Sequence, residues 1–125
     1  MSADNLRYRD LTSINMSRAH KWHPDFFNPS SPNHWNGADW SNAMCGEAGE
    51  AANVVKKIRR IETGVRGRAD DKLPKLIDKL GGELADTMIY IDLLASYYRL
   101  DLPACIIVKF NEVSVREGWP ERLAL

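Results

Sequence analysis

The sequence predicts an all-α protein, a bundle of four main helices forming one domain over residues 1–125. Three observations point there. Apolar residues recur at helical spacing along four long segments, no stretch alternates as a strand would, and Pro, Gly and Asn collect between the segments. Short connections favour antiparallel neighbours, except for the long first loop. A chain of 125 residues holds a single core, small enough for a second subunit to complete it.

The first helix is expected over residues 4–22, with Leu6, Leu11, Ile14 and Met16 as its apolar positions. Asn15 and Arg18, three residues apart, share a face that suits either a ligand or solvent. Residues 23–39 break the pattern with Pro24, Pro29, Pro32 and an Asn-rich run. Phe26, Phe27 and Trp35 make this loop too apolar for a linker, so it should pack on the body or on a second subunit. His20, His23 and His34 have no carboxylate at metal-ligand spacing on a shared helix and read as packing or surface residues.

A second helix is expected from about Asp39 to Ile61, with Asp39 or Ser41 as N-cap. Steps of 100° place Glu47, Glu50, Val54 and Lys57 on nearly one face. Residues 62–71 form a turn or loop whose Arg66 and Arg68 either clamp phosphate or are solvated. The third helix, residues 73–98, is weakened at Gly81-Gly82 and aligns Lys79, Glu83, Asp86 and Tyr90. Asp101 then caps a fourth helix that runs to Val115 and carries Lys109 and Asn111.

Composition narrows the function classes. Lys+Arg and Asp+Glu are equal at 17 each, which argues against a surface for nucleic-acid polymers and makes any phosphate chemistry local. Cys45 and Cys105 lie in apolar helical contexts and are expected as reduced core residues of a cytosolic protein. Neither a signal-peptide core nor an apolar run near the roughly 20 residues of a membrane span is present, so the cytoplasm is the expected location.

The chemistry lies in two acidic pairs. Glu47/Glu50 and Glu83/Asp86 are each spaced i, i+3, and each sits in a run of small or apolar residues. Four carboxylates brought together from two helices repel one another unless a cation lies between them, and hard oxygen donors select Mg²⁺ or Mn²⁺. A lone pair of this kind is commonly a solvated helix face; the apolar company of these two suggests that they turn inward. Gly46 and Gly49 are read as small residues at a close helix approach, because no strand precedes them and no Gly-Lys-Ser/Thr follows.

From about Trp40 to Pro120 the chain resembles the MazG-like all-α nucleoside triphosphate pyrophosphohydrolases. The resemblance rests on Gly46-Glu47-Ala48-Gly49-Glu50-Ala51-Ala52-Asn53 with Lys56-Lys57, on Glu83-Leu84-Ala85-Asp86 with Ile89-Tyr90-Ile91-Asp92, and on Lys109-Phe110-Asn111-Glu112. Their order and spacing are more specific than any one of them. In two respects the chain departs from the pattern: the gap between the acidic motifs is longer than in compact members, and no extra glutamate immediately precedes Glu47.

The resemblance implies Mg²⁺-dependent hydrolysis of a (deoxy)nucleoside triphosphate to the monophosphate and pyrophosphate. It implies metal ligation by Glu47, Glu50, Glu83 and Asp86, with Glu47 and Glu50 catalytic and Glu50 able to orient the water. It also implies phosphate binding by Lys57, Lys109 and Asn111, a base contact from the first helix for which Asn15 is nominated, and a homodimer or homotetramer. A phage-associated branch suggests dGTP and GTP, and the host cytoplasm. Phosphoribosyl-ATP pyrophosphohydrolysis and a non-catalytic nucleotide sensor are the alternatives. A ferritin-like di-iron bundle is disfavoured because neither motif has His three residues after Glu.

Overall fold

The computed structural model describes residues 6–65 and 72–124. Its elements are α1 (Tyr8–Trp22), a 3₁₀ turn (Pro24–Phe27), α2 (Gly37–Glu62), α3 (Leu73–Tyr97) and α4 (Leu102–Arg116), with no strand among the described residues. The protein is all-helical, as its apolar spacing predicts.

Helix α2 starts two residues before the expected Asp39, because Asn36 is the better cap. Its side chain accepts from the backbone N–H groups of Ala38 and Asp39, while Asp39 accepts from the N–H of Asn36. This reciprocal capping box satisfies orphan donors at both ends of the turn. Asp101 caps α4 as expected, accepting from Ala104 N–H at 3.1 Å. Helix α3 runs without a break through Gly81-Gly82. Packing along the helix therefore outweighs the roughly 1 kcal/mol propensity cost of each glycine.

Helices α2 and α3 make the most extensive contact, and α1 packs on α3. The start of α2 meets the end of α3, where Gly37 faces Tyr98, so the two long helices run antiparallel. That direction brings the middle of α2, with Glu47, opposite the middle of α3, with Glu83 and Asp86. Helix α4 has no packing of comparable extent with any other helix.

The core is built around Ala19, Trp40 and Leu93, with Met16, Phe26, Phe27, Trp35, Ile89, Tyr90 and Leu94 packed on it. Thus the first loop closes on the body of its own chain. Its stack runs His23 to Phe26 to Trp35, at centroid spacings of 4.5 and 4.1 Å, and Trp40 meets Trp35 edge-on. Offset and edge-on ring pairs of this kind add to the area they bury. His20 stacks on Phe27 at 3.7 Å, so both histidines are packing residues.

Three expectations are corrected. Gly46 and Gly49 are exposed and mark no close helix approach, since a Cβ at either would meet nothing within 4 Å. Cys45 and Cys105 are both free and exposed, not core residues, because the apolar neighbours of each occupy other faces of the same helix. The first helix begins at Tyr8 among the described residues, whereas its expected start at residue 4 lies outside them. Arg66 and Arg68 also lie outside the described residues.

Candidate functional site

Antiparallel pairing of α2 and α3 converts two sequence motifs into one acidic cluster. Glu47, Glu83 and Asp86 each offer a carboxylate oxygen, and these atoms all lie within 4.8 Å of one another. Glu47 and Glu83 are half-buried and Asp86 is exposed. The Glu47 carboxyl is held above the usual glutamate range, first by desolvation and then by the charges of Asp86, Glu83 and Glu50. Mutual repulsion at this separation favours protonation of one member or a cation among them. The donor set, hard oxygens only, fits Mg²⁺ or Mn²⁺.

Glu50 stands outside this close group and is exposed, although its charge is felt by Glu47. The expectation that all four carboxylates turn inward therefore holds for Glu47 and Glu83 only. Lys79, one turn before Glu83, reaches it at 3.6 Å. This neighbour was legible as an i, i+4 pair.

Beside the acids lies a cavity of about 300 Å³ lined by Asn15, Arg18, Ala19, Trp22, His23, Phe26, Trp40, Glu47, Asp86, Ile89, Tyr90 and Leu93. It is walled by apolar and aromatic side chains, with a few polar groups converging, which is the usual make-up of a small-molecule site. Tyr90 links the two parts: its phenol is raised above the usual tyrosine range by burial and by the charges of Glu47 and Asp86, opposed by Arg18. It stays a neutral donor at pH 7. The Arg18 guanidinium sits 4.8 Å from the ring centroid of Trp22, a cation–π arrangement that fixes both at the rim.

The sequence nominated Asn15, and the structure places it in this wall, buried. Its neighbour Asp92, also buried, was not nominated. The available signal was a lone carboxylate in the apolar run Ile89-Tyr90-Ile91-Asp92-Leu93-Leu94. Buried carboxylates need partners, and Thr12 and Asn15 supply them at 2.6 and 2.8 Å.

The nominated phosphate ligands do not join the cluster in the same way. Lys57 is exposed on α2, with no ion pair among the described residues. Lys109 pairs with Glu112 of its own helix at 3.0 Å. The Asn111 amide is used by the C-terminal tail, donating to the Leu123 carbonyl at 2.9 Å and accepting from the Leu123 N–H at 2.8 Å. Within one chain, Asn111 pins the tail.

In comparison with known proteins, the chain matches no family model, no curated protein and no solved structure. No helix among the described residues is long and apolar enough to cross a membrane.

Proposed function

We propose that the protein is a metal-dependent nucleoside triphosphate pyrophosphohydrolase of the MazG-like kind, cleaving a (d)NTP to the (d)NMP and pyrophosphate. The observation that carries this reading is the juxtaposition of a three-carboxylate cluster with an aromatic cavity that contains a buried amide. One half suits a metal–phosphate group and the other a base.

Glu47, Glu83 and Asp86 would hold Mg²⁺ or Mn²⁺. When bound, the cation would offset phosphate charge and lower the pKa of water. Glu50, left outside the close group, is free to accept a proton from the attacking water. Tyr90 offers its phenol hydrogen at the junction of cavity and acids. Trp22, Phe26 and Trp40 exclude water from the base and supply ring faces. Lys57, and Lys109 from a second subunit, are the proposed phosphate contacts.

Self-association forms part of the proposal. Ile77, Leu84 and Met88 on α3 are exposed, as are Ile106 and Phe110 on α4. At their spacings each set forms a stripe along one helix face. A homodimer or homotetramer would cover them.

The test is a panel of ribo- and deoxynucleoside triphosphates with Mg²⁺, beginning with dGTP and GTP, with products resolved as monophosphate, diphosphate, pyrophosphate and phosphate. Monophosphate with pyrophosphate is expected, and Glu50→Gln should lower turnover about 100-fold or more while nucleotide still binds. Diphosphate with phosphate, or binding without turnover on any triphosphate, overturns the proposal.

A further inference from the structure

Asn15 enters the cavity wall with its amide already half committed. Its Nδ2 donates to the Ile89 carbonyl at 3.0 Å and to Asp92 Oδ2 at 2.8 Å. An amide nitrogen has two hydrogens, so both are used. The orientation is also fixed: a flipped amide would set its oxygen against a carbonyl and a carboxylate, both acceptors. Thr12 holds the other carboxylate oxygen of Asp92 at 2.6 Å, so the acceptor that orients Asn15 is itself fixed.

What remains is Oδ1. It takes no hydrogen bond from a described residue, and the sealed polar atoms without a partner are Tyr8 Oη and His34 Nδ1 among the described residues. Asn15 therefore turns an acceptor, and only an acceptor, to a ligand in the cavity.

We infer that Asn15, locked by Asp92 and Thr12, makes this cavity selective for nucleobases that present an exocyclic amino group, and selective against uracil and thymine. The inference rests on the nucleotide reading of the site but not on the hydrolytic one. Cytosine, adenine and guanine each carry an amino group that can donate to Oδ1. Uracil is nearly the same size as cytosine but has a carbonyl where cytosine has its amino group, so two acceptors would face each other. Its N3–H can still donate, but the carbonyl oxygens on either side repel a lone acceptor that brings no donor beside it, which weakens that bond. Sites that hydrogen-bond a particular donor reject analogues lacking it far more strongly than apolar sites reject a change of size. Asn15 is thus a specificity-determining residue, and Asp92 and Thr12 are positioning residues.

The experiment is calorimetric titration of CMP and UMP, and separately AMP and GMP, into the full chain with Mg²⁺. Monophosphates serve as probes because no turnover is needed. CMP should bind at least about tenfold more tightly than UMP, a difference of about 1.4 kcal/mol, with AMP or GMP also ahead of UMP. Asn15→Ala should bring CMP and UMP within about twofold of each other, with helical circular dichroism unchanged. Asp92→Asn should narrow the same gap by loosening the amide, whereas a merely structural role would weaken both nucleotides equally. UMP binding as well as CMP, a gap that survives Asn15→Ala, or binding of no nucleotide overturns the inference. Amino-selective binding without triphosphate turnover would leave it standing and remove the hydrolytic reading; turnover of UTP as fast as CTP would do the reverse.

Discussion

Thr12 donates its hydroxyl to the Asp92 carboxylate at 2.6 Å, joining α1 to α3 across 80 positions of sequence. Together with the Asn15 amide it surrounds a carboxylate that is only 1 % exposed. The contact between α1 and α3 is much smaller than that between α2 and α3, so these bonds supplement the core packing of Met16 and Ala19 in holding α1 in place. Asp92→Ala would take the short acceptor from a half-buried hydroxyl, which keeps only the Tyr8 carbonyl at 3.2 Å, and one of two acceptors from a buried amide, which keeps the Ile89 carbonyl. Each loss falls toward the low end of the roughly 1–3 kcal/mol that an unsatisfied group costs. The expected loss for the two together is about 2 kcal/mol, read from the midpoint of urea unfolding. In a double-mutant cycle with Thr12→Val, the two changes should be non-additive by at least about 0.5 kcal/mol. An additive result would mean that the hydroxyl and the carboxylate act separately.

Glu47 gives a prediction whose sign depends on metal. Its carboxyl is raised above the usual range in the folded protein, so the folded state binds more protons than the unfolded state between the two pKa values. Stability then falls as pH rises through that window, and the full penalty is present above the folded pKa. Glu47→Gln should therefore stabilise the metal-free protein at pH 7 and have little effect at pH 4. With Mg²⁺ added the order should reverse at pH 7, because the cation stabilises the wild type by mass action and the variant lacks a ligand. Thermal unfolding at both pH values, with and without MgCl₂, checks this; a variant no more stable than the metal-free wild type at pH 7 would contradict it.

Proton competition at the same carboxyl sets the pH dependence of turnover. A ligand must be deprotonated to hold the metal, and the raised Glu47 carboxyl keeps its proton to a higher pH than an ordinary glutamate. The acid limb of the activity profile should consequently lie above the ordinary glutamate range and move to lower pH as Mg²⁺ is increased. Initial rates over pH 5–8 at two Mg²⁺ concentrations test this, and an acid limb that does not respond to Mg²⁺ would place the titration elsewhere.

Much of this arrangement was legible in the sequence because it depends on local periodicity. The Glu83/Asp86 pair and the Asp101 cap follow from spacing along a single helix, and the structure keeps them, whereas of the Glu47/Glu50 pair only Glu47 enters the cluster. The cavity was not legible, since Trp22, Phe26, Trp40 and Tyr90 reach it from different elements that only tertiary packing brings together. The sequence points to Asp39 or Ser41 as the cap of α2; the structure caps the helix with Asn36 and uses Asp39 as its reciprocal partner, because the Asn-rich run reads as loop until the helix start is known. The cysteines were misplaced for a related reason: apolar composition around a residue does not say which face of the helix it occupies.

The pairing of Asn36 with Asp39 carries its own prediction, because it starts the helix that carries Glu47. Asn36→Ala removes the acceptor for two N–H groups at the head of α2, which typically costs about 1 kcal/mol. Asp39→Asn should cost less, since an amide oxygen can still accept from the Asn36 N–H while the favourable charge at the helix start is lost, at about 0.3–1 kcal/mol. Chemical denaturation would give both values. A larger loss for Asp39→Asn would show that the charge matters more than the bond.

The exposed stripes on α3 and α4 make the strongest claim on the assembly. Burying a side chain the size of Leu, Met or Phe is worth about 1.5–3 kcal/mol, and Leu84, Met88 and Phe110 are each more than two-fifths exposed in the single chain. Phe110 also lies between Lys109 and Asn111 on the helix that packs least on its own subunit. If α4 docks on a second copy, Phe110→Lys should lower the mass measured by sedimentation to that of one chain, 14.2 kDa, and the same dilution series should show triphosphate turnover falling with the oligomer. A wild type that sediments as a monomer at micromolar concentration and still turns over would mean that one chain completes the site, with the phosphates held by residues of α2 and α3 alone.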